Sequence, residues 1–231
     1  MYKKIRDNLF LTKPFYHICN KTIDNKIIFD NAQLESKFLD IVKYYKSMNS
    51  LISYSKYIDM QGIQFNSYKS KIINPKSYGV KILSYSLNPN HYHLLVQEVW
   101  PNYTTEFISK FQNSFTKYFN KLNNNRLGPL FVGGAKKVFI DNESLLLHLL
   151  RYVNLNLYSS NLIKNIDDIF RDNRCSLPEY LDKPIICDTK LILKLFKSKE
   201  EFKSFICDRA EYQKTLQLIK EDLKYFRNLE G

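Results

Sequence analysis

Two histidines one residue apart, His91 and His93, lie within the run Asn88-Pro-Asn-His-Tyr-His-Leu-Leu-Val-Gln97. In an extended strand alternate side chains share a face, so both imidazoles project together while Tyr92, Leu94 and Val96 point the other way. Neutral imidazole is the commonest protein metal ligand, which makes a His-x-His strand half of a divalent-metal site. Alone it is weak evidence, because polar pairs on a strand are commonly satisfied by hydrogen bonds. A second stretch, Asp141 to Asn156, supplies what is missing. Leu146, Leu149, Leu150, Val153 and Leu157 follow helical spacing, with Asp141 or Asn142 placed to cap the first turn. Tyr152 and Asn156 are four residues apart and share one helical face, with His148 one turn earlier. Two imidazoles and one amide oxygen leave coordination positions open to phosphate oxygens, which suits Mg²⁺ or Mn²⁺. A phosphodiester held there and attacked by the Tyr152 phenol gives a covalent phosphotyrosyl intermediate, so nucleic acid is the expected substrate.

The elements around these residues must carry them to one place. Phe15 to Cys19 reads as a first strand, and Leu34, Phe38, Ile41, Val42 and Tyr45 mark an amphipathic helix over 32–45. Gly79 to Ser86 is a second strand, joined through Asn88-Pro-Asn90 to the histidine strand as an antiparallel hairpin. A helix capped by Thr104 or Thr105 follows, with the stripe Phe107, Ile108, Phe111, Phe115, Phe119 and Leu122. Asn123 to Pro129 is a loop, and Leu130 to Ile140 a last strand before the tyrosine helix. The order strand, helix, strand, strand, helix, strand is that of a ferredoxin-like split βαβ fold of the α+β class. Its antiparallel sheet has helices on one face; the other face stays open, with the tyrosine helix closing over the histidines.

Residues 47–77 interrupt this order and read as an insertion; Tyr54, Tyr57, Tyr68 and Tyr78 either stack on bases or pack on one another. Residues 1–164 form the catalytic unit with that insertion. Residues 165–231 read as a small helical appendage, with a capping box at Ser198 to Glu201 and helical stretches at 189–196 and 212–226. His17 reads as a hydrogen-bonded structural histidine and His148 as a surface residue.

The net charge of +12 calls for a polyanionic partner. No acidic residue lies between Asp59 and Glu98, or between Glu106 and Asp141. Lys110, Lys117, Lys121, Arg126, Lys136, Lys137 and Arg151 are the expected DNA contacts. Four scattered cysteines without a Cys-x-x-Cys pair fit a reduced compartment. No run spans a bilayer and no signal peptide opens the chain, so a soluble cytoplasmic, nucleoid-associated protein is expected.

From Phe15 to Leu162 the chain resembles the HUH single-tyrosine transposases, in the branch associated with repetitive extragenic palindromes. Tyr16-His17, Asn88 to Val96, Thr116-Lys-Tyr-Phe-Asn120, Gly128-Pro-Leu-Phe131 and Arg151-Tyr-Val-Asn-Leu-Asn156 carry the resemblance. It implies that His91, His93 and Asn156 bind Mg²⁺ or Mn²⁺ and that Tyr152 cuts single-stranded DNA. Leu157 stands where that family usually has proline, and Gly134-Ala135 where it has an Arg-Phe pair. Single-stranded or hairpin DNA is the implied partner, with a homodimer as an allowed assembly. Two other readings compete: an inactive or domesticated protein that binds DNA or RNA hairpins, and a nucleotide hydrolase, which would want a third alternating histidine where Leu95 stands.

Overall fold

A computed structural model describes residues 13–215. Four strands, β1 (Phe15–Lys21), β2 (Val80–Asn88), β3 (His91–Glu98) and β4 (Lys136–Ile140), form one antiparallel sheet in the order β2-β3-β1-β4. This is the expected α+β arrangement. The glycines at 133 and 134 shorten β4 relative to the expected 130–140 strand, leaving only a bridge between Thr22 and Phe131 upstream. The two-residue connection between β2 and β3 is clamped from outside, because Ile28 and Phe29 donate to the Pro89 carbonyl and Thr22 to that of Asn90.

One face of the sheet is covered by α1 (Ala32–Tyr45) and α4 (Tyr103–Leu122). Phe38 is fully buried there, with the rings of Phe29, Tyr92, Phe111 and Phe115 between 5.0 and 5.7 Å away. Asn31 caps α1 through the amides of Gln33 and Leu34. The cap of α4 differs from expectation. Thr104 lies buried inside the helix, and the Glu98 carboxylate at the end of β3 accepts from the Asn102 and Thr104 amides instead. A carboxylate on a helix N-terminus satisfies orphan donors and complements the macrodipole.

Residues 47–77 form two short helices, α2 (Tyr54–Ile58) and α3 (Gly62–Ile73). Their tyrosines pack on one another: Tyr57 lies 4.7 Å from the Tyr44 ring and 6.0 Å from that of Tyr68, whose hydroxyl donates to Asn49.

The second face is not open. The tyrosine helix α5 (Glu143–Ser159) lies across it, capped by Asn142. Residues after 164 complete a second core with it: α6 (Leu177–Leu181), α7 (Lys190–Leu193) and α8 (Lys199–Cys207) bring Tyr180, Ile192, Phe202 and Ile206 against Leu83, Leu95, Leu150 and Leu157. This segment also follows the outer edge of β2, where Leu87 donates to Arg174, Ser176 to Tyr85 and Asp188 to Ile82. An exposed strand edge is thereby covered. Its turn is held by the buried Glu179 carboxylate, which accepts from the amides of Ile185, Ile186 and Cys187. The expected helix at 212–226 lies largely outside the described residues.

Gly79 shows how tightly the first core is closed. A Cβ there would meet the Tyr103 ring at 2.1 Å, and that ring is held by its hydroxyl donating to the carbonyls of Tyr45 and Ser47. Gly79→Ala should therefore destabilise the fold by about 1–3 kcal/mol through overpacking. In urea denaturation, Tyr103→Ala in the same chain should remove most of that added cost, because the two positions share one contact.

Candidate active site

The antiparallel register of β1 against β3 sets Cys19 opposite His93 and Lys21 opposite His91. Directly paired residues share a face, and so do residues two apart, so His17, Cys19, His91 and His93 all face α5. The His17 and His93 rings stack at 5.1 Å and 9°, and those of His91 and His93 meet edge to face at 5.1 Å. His17, read from sequence as structural, thus belongs to the same group. The signal for it was the spacing His17-x-Cys19, which repeats the His-x-His alternation on the neighbouring strand.

The tyrosine helix brings its residues to this group. The Tyr152 ring is 5.6 Å from that of His93 and 6.2 Å from that of His17, with an edge-on orientation to both. The Asn156 amide nitrogen lies 3.4 Å from His93 Nε2. His148 is exposed, one turn away from this cluster along the helix. The helix is pinned by a buried polar relay. Asn154 donates to Leu150 within α5 and accepts from Ser176, whose hydroxyl meets Ser84 of β2 at 2.9 Å. A β-bulge between Ile82 and Ser84 turns both Leu83 and Ser84 toward this face, which makes the relay reach the sheet. Leu157, where the resembled family has proline, is fully buried and continues the helix to Ser159.

Hydrogen bonds fix how the rings are held. Asn90 Oδ1 accepts from His91 Nδ1 at 2.8 Å. His93 meets His17 Nε2 through Nδ1 at 2.9 Å, and its Nε2 faces the Asn156 amide. Burial pushes the His17 imidazole down to about 4. His93 lies well below the ordinary histidine range, through burial first and then through His17 and His91. Both are neutral near pH 7, the form in which imidazole binds metal. The Tyr152 phenol is raised by burial, and its hydrogen bond with Asn156 opposes that rise. The donor set fits a divalent cation: the imidazoles of His91 and His93, and the Asn156 carboxamide, which presents Oδ1 in place of Nδ2 by a half-turn. Among the described residues a second set, His17, Cys19 and His93, has ligand atoms all within 4.8 Å of one another.

Beside the histidines opens a cavity of about 650 Å³ lined by Cys19, Lys21, His91, His93, Lys136 and Ser160, among others. Gly133 and Gly134 form part of its wall, and a Cβ at either would meet nothing within 4 Å. Of the basic residues expected to contact DNA, Lys136 is the one in this cavity. Lys110, Lys117 and Lys121 line a groove with Tyr54 and Tyr118 on the α1/α4 side, across the sheet. Arg126 holds its own loop through Asn120, Gly128 and Pro129. Lys137 bonds Thr105 and sits 4.8 Å over the Tyr16 ring. Arg151 donates to the Phe205 carbonyl and stacks 4.0 Å from that ring, fastening α5 to α8.

No family model matches the chain, and no curated protein matches it in sequence. Among solved structures it is similar to one described as a REP-associated tyrosine transposase bound to a REP hairpin. The identity is 11%, over 78% of this chain and 83% of that one, with a TM-score of 0.47. Among the described residues, no helix is long and apolar enough to cross a membrane.

The buried histidine gives the fold a defined acid response. His17 binds fewer protons when folded than when unfolded between about 4 and its ordinary 6.5, so stability falls as pH is lowered through that window. Urea midpoints measured from pH 7 to pH 4 should decline in the wild type, and His17→Gln should flatten part of that slope.

Proposed function

We propose that this chain is a metal-dependent enzyme that nicks and rejoins single-stranded DNA, in hairpin or palindromic form, through a 5′-phosphotyrosyl link on Tyr152. The observation that carries this reading is the convergence of Tyr152 and Asn156 on His93, with the Tyr152 ring 5.6 Å from the histidine ring and the Asn156 amide 3.4 Å from its Nε2. A phenol beside a cation site with an adjacent basic cavity has the parts needed for phosphoryl transfer by a tyrosine nucleophile.

His91, His93 and Asn156 would hold Mg²⁺ or Mn²⁺, which supplies polarisation of the scissile phosphate when bound. Asn90 orients His91 and His17 orients His93, each through Nδ1, so Nε2 of both rings would be the atom that meets the cation. Tyr152 Oη attacks phosphorus as its proton leaves to solvent; the new oxygen–phosphorus bond replaces the bond to the 3′ oxygen, which takes a proton from solvent and departs as the 3′-hydroxyl. Because bond energy is kept in the tyrosyl ester, another 3′-hydroxyl reverses the step, and rejoining needs no nucleotide cofactor. Lys21 and Lys136 flank the cavity and would meet the DNA backbone.

Incubation with labelled single-stranded hairpin DNA and Mn²⁺ tests the reading. A covalent protein–DNA adduct should form, vanish on chelation of the metal and be absent in Tyr152→Phe. His91→Ala should likewise lose the adduct while keeping DNA affinity within a few-fold, since phosphate contacts supply binding. Binding with no adduct under any metal would leave a hairpin-binding module and overturn the enzyme. Asn90→Ala should weaken metal affinity by about 10–100-fold, because it removes the partner that sets the His91 tautomer.

A further inference from the structure

We propose that His17, Cys19 and His93 form a second metal site, selective for thiophilic cations such as Zn²⁺, that shares His93 with the DNA-processing site and silences it when filled. The three donor atoms lie within 4.8 Å of one another. They come from a single sheet face: Cys19 stands opposite His93 across β1 and β3, and His17 follows Cys19 at the strand period of two. Tetrahedral Zn²⁺, with bonds of about 2.0–2.3 Å to nitrogen and sulfur, separates its ligands by roughly 3.3–3.6 Å, so closing the triad takes movement of about an ångström. His17 and His93 are already joined through Nε2 and Nδ1 at 2.9 Å, inside that spacing. Burial of both rings makes the site dry on the protein side, and the cavity beyond Cys19 leaves a fourth position for water. One thiolate and two imidazoles with an open position make a soft donor set, which ranks Zn²⁺ above Mg²⁺ and Mn²⁺.

The antagonism follows from the shared ring. His93 turns Nδ1 to His17 and Nε2 to Asn156, and a neutral ring has one lone pair to give. A cation between His17 and Cys19 takes that lone pair on Nδ1, so the imidazole proton is held on Nε2 and the Cys19 thiol gives its own proton to solvent. With Nε2 protonated, His93 has no lone pair for the set made with His91 and Asn156. The soft site would thus switch off the hard one by tautomer exchange in one ring.

Cobalt(II) is the direct probe, because thiolate coordination produces an intense near-ultraviolet charge-transfer band that imidazole or carboxamide coordination lacks. Full-length protein, stripped of metal and kept reduced, should develop that band at one equivalent of Co²⁺, and added Zn²⁺ should erase it. Cys19→Ser should abolish the band and weaken Zn²⁺ binding at least about tenfold. Cys207→Ser should leave both unchanged and controls for the other half-exposed thiol. Circular dichroism of each variant confirms that it folds. Absence of the band, or its survival in Cys19→Ser, overturns the site. The antagonism rests on the proposed strand transfer and is read apart from the site itself. Zn²⁺ should block adduct formation with Mn²⁺ in the wild type and do so much less in Cys19→Ser; equal inhibition of both overturns the switch. Asn156→Ala separates the two readings, since it should lose the adduct while retaining the cobalt–thiolate band.

Discussion

The register of β1 against β3 is the constraint on which the site depends. Side chains on a strand alternate with a period of two, so a slip of one residue would turn His17 and Cys19 to the opposite face and break their approach to His93. The register is held on both sides of the sheet. Ile18, Tyr92, Leu94 and Val96 are fully buried under α1 and α4, whereas Phe15, Leu95 and Ile140 are fully buried under α5 and the C-terminal segment. A shifted strand would exchange apolar residues for polar ones in two cores at once. Hydrophobic burial thereby fixes the positions of the imidazoles.

The tyrosine helix is located by a different force. Its apolar stripe places it over the sheet, but apolar contact tolerates sliding, whereas Asn154, Ser176 and Ser84 form directional hydrogen bonds in a buried setting. Leaving any of them unsatisfied costs more than a normal bond contributes. The chain after residue 164 therefore takes part in site geometry: Ser176 is the central member of the relay, and Phe205 receives Arg151 of α5. The Glu179 turn and the backbone pairing along β2 hold Ser176 in place.

The proposed sharing of one buried imidazole between two donor sets would have a chemical consequence. A histidine offers one lone pair in its neutral form, and the hydrogen-bond pattern around His93 selects which nitrogen carries it. His17 and Asn156 act from opposite sides of the ring, one on Nδ1 and the other on Nε2. The identity of the bound cation would then be read by proton position in a single ring, with no large movement of the backbone.

Local pattern was enough for a large part of this protein. The helix over Ala32 to Tyr45, the Pro89-Asn90 hairpin, a cap at Asp141 or Asn142 and the pairing of Tyr152 with Asn156 along one helix all depend on residues close in sequence, and the chain states them directly. Alternation likewise placed His91 and His93 on one face. What lay beyond reach was everything decided by partners remote in the chain. The α4 cap is a carboxylate from β3 rather than a threonine beside it; Arg126 also braces its own loop and Arg151 also fastens α5 to α8; Lys110, Lys117 and Lys121 fall across the sheet from the histidines. His17 and Cys19 joined the site only when strand pairing supplied a register, because a strand's period tells which residues share a face but never which strand will lie beside it or in what alignment.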